Sequence, residues 1–276
     1  MIRKMKNRIE MNKLKLIFAV LLFTFSGARA QTEGEIIIPL SNPANRASIK
    51  IDIKKGSITV KGTSRKDVKI VYKGRKSNKE KNKEKDGLKL VASNGLDLEA
   101  YERGNKISIT SDSWNKGIDL FVEIPINSDL RVDTYNSGDI LVENVVGEVI
   151  AENYNGKITL MNISGSAVAS TYNGAITVLL DKVTPDTPMS FITYNGNVDV
   201  TMPATTKANL KLKSAGGDIY SGFDMQILET KAVQKKSENK DVYRVYLDDW
   251  TRATINGGGP DITMKNHNGD IYIRTK

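Results

Sequence analysis

The feature that most constrains this chain is a short segment repeated at near-constant spacing. Gly-x-Ile/Val recurs at Gly138-Asp139-Ile140, Gly156-Lys157-Ile158, Gly174-Ala175-Ile176, Gly196-Asn197-Val198 and Gly217-Asp218-Ile219. Tyr-Asn precedes the first four, as Tyr135-Asn136, Tyr154-Asn155, Tyr172-Asn173 and Tyr194-Asn195. The glycines stand 18, 18, 22 and 21 residues apart, and a further copy closes the chain at Asn268-Gly269-Asp270-Ile271. An isolated relative, Gly56-Ser57-Ile58, lies near the start. Repetition at a fixed period of about twenty residues signals units that bury their apolar face only by stacking on one another.

Each unit reads as two short strands. Alternation after the glycine, as in Ile158-Thr159-Leu160, is the period-two mark of a strand with one buried face. A polar corner follows (Asn144, Asn162), then a second glycine (Gly147, Gly165) opening strands such as Val149-Ile150-Ala151. Asn-Gly then turns the chain, since both residue types tolerate positive φ. The expected fold is all-β: a β-solenoid over residues 129–276, with an irregular β region over 31–128 of the same domain. In the longer units, the extra residues fall at corners, at Pro185–Pro188 and around Pro203, where no ladder donor is needed. Strand candidates in the N-terminal region are Ile49–Ile53, Ser57–Lys61, Val68–Tyr72, Leu88–Val91, Ile107–Thr110 and Leu120–Ile124. Lys73–Lys85 carries seven basic residues against two acids and reads as a solvated loop, the alternative being a patch for anionic glycans or lipid head groups. A charged hairpin around Lys235–Asp241 interrupts the repeats within about residues 225–250.

Residues 1–30 read as a secretory signal peptide. A basic stretch precedes the apolar run Leu16–Phe25, and Ala28-Arg29-Ala30 supplies a cleavage site; Met11 would serve equally as the start. The run is too short to span a bilayer, so no transmembrane anchor is expected in the mature chain. No cysteine follows the cleavage point to take a lipid. The segment holds seven Lys/Arg against one acid, so the formal +9 of the whole chain becomes +3 on its removal. That excess gives no reason to invoke nucleic acid. Localisation is therefore expected to be periplasmic, cell-surface or extracellular.

Pro125-Ile126-Asn127-Ser128-Asp129-Leu130 leading into Tyr135-Asn136-Ser137-Gly138-Asp139-Ile140, the recurring Tyr-Asn-Gly units, and Ile255-Asn256-Gly257-Gly258-Gly259 through Asn268-Gly269-Asp270-Ile271-Tyr272-Ile273 resemble the DUF4097 putative-adhesin family. Its members are exported bacterial proteins, common in Bacteroidota and related to the head-domain putative adhesins. The likeness covers most of residues 35–276; the basic loop and the hairpin near Lys235 look like insertions. It implies a right-handed β-solenoid and a cell-envelope setting, with adhesin-type binding. It supplies no catalytic residues to carry over.

Candidate chemistry is sparse. Cysteine is absent and the single histidine, His267, sits in a turn-like Asn266-His267-Asn268-Gly269, so nucleophile–base catalysis and the usual zinc sites lack their residues. The glycine-dense Asn256–Gly259 opens no helix that would hold a phosphate. No cofactor is expected. The rival reading is a β-helix carbohydrate-active enzyme, a polysaccharide lyase or hydrolase, using Asp218, Asp261 and Asp270, which would also be weak candidates for calcium. Asp139 and Asp218, counted as four repeats apart, would stand about 19 Å from each other, too far for a glycosidase pair. Turn aspartates satisfying nearby N–H groups are the blander alternative. Asn136, Asn155, Asn173 and Asn195 are expected to form a hydrogen-bonded ladder. Parity places Leu130/Val132, Val149/Ala151, Ala167/Ala169, Met189/Phe191 and Leu210/Leu212 inward, and Tyr135, Tyr154, Tyr172 and Tyr194 outward beside Ile150, Val168 and Ile192. This tyrosine column is the candidate binding site, for an envelope glycan or protein, unless another part of the chain covers it.

Overall fold

The computed structural model describes residues 33–75, 84–85, 88–89, 95–228, 232–236, 243–247 and 250–276, all within one compact unit, 32–276. The expected signal peptide lies outside them, as do residues 76–83 of the basic loop and 237–242 of the expected hairpin. Among the described residues there is no helix, and twenty strands join in one sheet that wraps the core.

Sequence period becomes register directly. The strand Ser128–Asn136 lies parallel to Val146–Asn155 with Leu130 opposite Val149, and that strand lies parallel to Ile158–Asn173 with Val149 opposite Ala167. Ile140–Glu143, across the Asn-Gly corner, pairs with the first residues of Ile158–Asn173, and these pair with Ile176–Val183. Each copy thus supplies one strand before the corner and one after it, and like positions meet from coil to coil. Because a one-residue slip would expose every core side chain, the alternation locks this register.

In space the coils follow the order 106–125, 47–63, 128–143, 146–163, 164–183, 189–202, 261–275 and 208–221. From 128 to 202 this is chain order; at both ends it is not. The closing copy, Asp261–Asn266 with Ile271–Thr275, slots between Met189–Asn195/Val198–Met202 and Ala208–Ser214/Ile219–Ser221. Counting along the sequence therefore misplaces the last repeats: the steps from Asp139 run through Lys157, Ala175, Asn197 and Asp270 before Asp218.

Antiparallel strands finish the stack. Leu98–Arg103 pairs with Lys106–Ser111, Asp67–Gly74 with Ile118–Pro125, and Glu33–Pro39 with Asp67–Gly74. At the other end Thr251–Ile255 covers Ala208–Ser214 and Gln226–Leu228 covers Thr251–Ile255. Such additions occupy backbone groups that a bare terminal coil would leave as a template for aggregation. Ala232–Lys236 and Tyr243–Leu247 form a separate antiparallel pair, at the expected hairpin, and Glu84–Lys85 with Leu88–Lys89 another. Arg75, read from sequence as part of the solvated loop, is tied down: it donates to Asp119 at 2.8 Å, to Ser57 Oγ at 2.9 Å and to the Ser137 carbonyl, bracing three coils at one corner.

The core lies between the strands before and after the corner. Every residue assigned inward by parity is buried, from Leu130 and Val132 to Leu210 and Leu212. Volume is complementary between coils: Ala151 and Ala169 are small where Phe191, opposite Ala169 and next to Met264, is the bulkiest fully buried side chain.

Candidate functional site

The corner before each glycine arranges three neighbouring side chains in three different ways. The first turns inward: Thr134, Asn153, Thr171, Thr193 and Asn266 are buried. Each donates to the glycine carbonyl one coil back, Thr134 Oγ1 to Gly56 at 3.0 Å, Asn153 Nδ2 to Gly138 at 2.8 Å, Thr171 Oγ1 to Gly156 at 3.0 Å, Thr193 Oγ1 to Gly174 at 2.8 Å and Asn266 Nδ2 to Gly196 at 3.2 Å. Buried polar groups must be paired, and these pairs pin one corner to the next. The third residue is the ladder asparagine. Asn173 donates to Asn155 at 2.8 Å, Asn195 to Asn173 at 2.7 Å and Asn268 to Asn195 at 2.7 Å. Asn136 instead accepts from Ser137 Oγ at 3.1 Å.

Positive φ falls on the glycines of these corners and, in the Tyr135–Gly138 unit with its extra residue, on Ser137 at 59°. Asn136, Asn155, Asn173 and Asn195 are not among the left-handed residues, against the expectation for an Asn-Gly turn, whereas Asn144 and Asn162 at the other corner are, at 58° and 56°. Glycine is needed here for proximity as well: a Cβ on Gly174 would overlap the carbonyl of Gly156, the same position one coil earlier.

Between them stands the tyrosine column, and it points outward. Tyr135, Tyr154, Tyr172 and Tyr194 are 40–45% exposed. Their rings stack at centroid distances of 4.8, 5.1 and 4.8 Å, within 11° of parallel. Offset stacking at this distance adds about 0.5–1.5 kcal/mol per pair beyond area burial. Trp114 packs edge-on against Tyr135 at 5.4 Å, and His267 continues the stack beyond Tyr194 at 4.6 Å. Ring faces are consumed by neighbouring rings, so the column offers ring edges and a row of hydroxyls. Sugar binding by stacking on four open ring faces is therefore not what this geometry provides.

Grooves flank the column. One of about 400 Å³ lies among Tyr154, Tyr172, Tyr194, Ile192, Lys265 and His267. A second of about 490 Å³ lies among Trp114, Tyr135, Lys54, Arg131, Asp133 and Glu152. Two residues before the tyrosines run Asp133, Glu152, Ser170, Ile192 and Lys265, so this neighbouring column is acidic at one end, neutral in the middle and basic at the other. Arg131 bridges the acidic end, 3.0 Å from Asp133 and 3.0 Å from Glu152. Asp133 Oδ1 is buried without a hydrogen-bond partner, and burial raises the carboxyl above its ordinary pKa in spite of Arg131. Lys54, level with Tyr135 in the adjoining coil, donates to Asp52 at 3.1 Å and lies 3.5 Å from Asp112; the bond to Asp52 raises its pKa.

The aspartates named from sequence serve the opposite side of the corner. Asp139 Oδ1 accepts from the Lys157 N–H at 3.0 Å, and Asp270 Oδ1 from the Asp218 N–H at 2.9 Å. Asp270 Oδ2 also accepts from the Tyr272 hydroxyl at 2.9 Å, and Asp218 Oδ2 from that of Tyr220 at 3.2 Å. The backbone N–H of Asp218, and then the Tyr272 hydroxyl, hold the Asp270 carboxyl below its usual range. Asp218 and Asp270 are brought to adjacent coils; Asp261 is not with them. It stands at the far end of its strand, about 17 Å from the corner, accepting from Asn209 at 3.1 Å. Among the described residues no three His, Asp or Glu gather as a metal group.

Sequence reasoning left out the place of His267 in the stack, the buried Thr/Asn column, Trp114 and the stacked pair Tyr220–Tyr272 at 5.3 Å. The signal for two of these was present: Asn266-His267-Asn268-Gly269 matches Thr193-Tyr194-Asn195-Gly196 position by position.

No protein-family model matches the chain, and no curated protein matches it. Among solved structures, it is similar to a "putative cell adhesion protein" from Clostridium sporogenes ATCC 15579, with TM-score 0.45, 11% identity, and coverage of 88% of this chain and 100% of that one. It is also similar to a "putative adhesin" (BF0245) from Bacteroides fragilis NCTC 9343, with TM-score 0.39, 10% identity, and coverage of 91% and 100%.

Proposed function

We propose that this is an exported, non-catalytic cell-envelope protein of the DUF4097 type, a right-handed β-solenoid that works as an adhesin-like binding surface through the face carrying Tyr135, Tyr154, Tyr172 and Tyr194. The observation that carries this reading is the exposed, stacked tyrosine column beside grooves of mixed apolar and charged character. Aromatic groups with an apolar body and a polar tip are the side chains that dominate binding surfaces. The export signal read in residues 1–30 supports an envelope setting for that surface, and among the described residues no helix is long and apolar enough to cross a membrane.

The carbohydrate-cleaving alternative asks more of Asp218, Asp261 and Asp270 than their surroundings favour. A general acid needs a raised pKa, whereas Asp270 is lowered and both its oxygens accept hydrogen bonds. Retention of envelope glycans and proteins by the purified protein tests the choice. Tyr154→Ala with Tyr172→Ala is expected to weaken retention about tenfold, and Asp218→Ala with Asp270→Ala to leave it unchanged. Aspartate-dependent cleavage of an envelope polysaccharide would overturn the binding reading.

A further inference from the structure

One column of the tyrosine face is complementary to itself in charge. Two residues before the tyrosines, Asp133 and Glu152 stand in the coils on one side of its middle and Lys265 on the other, with Lys213 one coil further, opposite Lys265 in register. The middle falls between the coils of Tyr172 and Tyr194. A two-fold axis lying along the strands at that point reverses the order of coils and keeps each column facing itself. Glu152 then meets the partner's Lys265 and Asp133 the partner's Lys213, while Tyr172 meets the partner's Tyr194 and Tyr154 the partner's His267. Arg131, which faces the partner's Lys211, already sits between Asp133 and Glu152.

We infer that the occupant of this face is a second copy of the same chain, docked in an antiparallel, isologous arrangement. The inference rests on reading the tyrosine face as the binding surface, and it names the partner. Three observations support it. In the column two residues before the tyrosines, charges of opposite sign are placed symmetrically about the neutral centre, and complementary charge sets partner choice and register; in the column before it Arg131 and the partner's Lys211 are alike in sign, with Asp133 and Glu152 beside Arg131 to offset them. Edges and hydroxyls, rather than ring faces, are what the tyrosines present, and a hydroxyl both donates and accepts, so two facing rows can pair with each other. The area suffices: six coils at about 4.8 Å by seven residues at about 3.3 Å give a face of roughly 29 by 23 Å. Two such faces bury about 1,300 Å², in the lower part of the range of a stable specific interface.

The test is the mass of the protein, produced from its full sequence and purified as the cell processes it, followed across micromolar concentrations by light scattering or sedimentation. Native protein is expected to reach twice the monomer mass. Glu152→Lys alone and Lys265→Glu alone each set like charges against one another and are expected to raise the dissociation constant at least about tenfold. Both changes in one chain restore opposite charges and are expected to bring it back to within about threefold of native. That recovery also proves the variants folded. A dimer indifferent to the single reversals, or reversals that the double variant does not rescue, would overturn the inference. A native protein that stays monomeric but still retains envelope material through Tyr154 and Tyr172 would overturn self-docking and leave the binding face standing; a monomer that retains nothing would remove both.

Discussion

Between Ser128 and Met202 the chain lays its coils down in the order in which it runs, whereas on either side of that block it doubles back. In the central block each coil is joined to the next by a short corner and lies directly on its predecessor, whereas the equally short links 126–127 and 203–207 at its borders each pass over one intervening coil. At the ends, longer stretches of chain (64–105 and 222–260) separate the copies and carry the antiparallel strands that cover the stack. Coil 106–125 lies outside coil 47–63, and coil 261–275 lies inside coil 208–221, so the long stretches join coils that are neighbours but reverse their order. The block is ruled by local repetition and the ends by the need to close open edges.

The sharpest way to break this contrast is at glycine. Gly174→Val forces a Cβ onto the Gly156 carbonyl in the middle of the stack and is expected to cost more than about 4 kcal/mol by urea unfolding, or to prevent folding. Gly257→Ala, in an end loop at φ 84° with nothing within 4 Å of the new carbon, should cost only about 1–2 kcal/mol. Next in size, Phe191→Ala empties the bulkiest buried position of the block and is expected to cost about 3–5 kcal/mol in the same assay. Smaller still is the ladder. Asn173 both donates and accepts, so Asn173→Ala should cost about 1–3 kcal/mol; Asn268, exposed and making one of these bonds, should cost about 0.5–1.5 kcal/mol.

Acid gives the finest comparison, because the two regions respond with opposite sign. Asp133 in the block is raised above its ordinary 3.8 by burial. The folded state then holds its proton at higher pH than the unfolded state, and wild-type stability relative to Asp133→Asn should rise as pH falls through the folded pKa toward 3.8. Asp270 at the end is lowered from 3.8 by the Asp218 N–H. Its contribution is present above 3.8 and should fade below it, so wild type should lose ground to Asp270→Asn as pH drops. Stability curves of the two variants against pH measure both slopes.

These contrasts also mark what was legible in the sequence. A period-two pattern repeated every 18 to 22 residues carried the inward set, the outward tyrosines and the ladder from Asn155 onward, because each is a property of one unit copied onto the next, while Asn136 falls outside the ladder. Ala47–Lys55, Ile58–Thr63, Lys106–Ser111 and Ile118–Pro125 were recognisable for the same reason. Glu33–Pro39 and Leu98–Arg103 carry no glycine-led repeat signal, the first being a short isoleucine run and the second a charged edge strand, and the place of each depends on a partner distant in sequence. The spatial order of the end coils was illegible because nothing within a repeat encodes which neighbour it takes. His267 is illegible from residue type alone and legible from its position in the repeat: the column asks for a flat ring at that site, and imidazole supplies one.

The order of the end coils is the claim on which the columns depend, and cysteine pairs read it directly in a chain that has none of its own. Ile192 and Lys265 are opposite each other in adjacent strands, as are Lys213 and Lys265. Ile192→Cys with Lys265→Cys, and Lys213→Cys with Lys265→Cys, should each form a disulfide under mild oxidation, while Ile192→Cys with Lys213→Cys, two coils or about 9.6 Å apart, should not. Ready closure of the Ile192–Lys213 pair with failure of Ile192–Lys265 would mean that the coils follow chain order to the end, and would contradict the account.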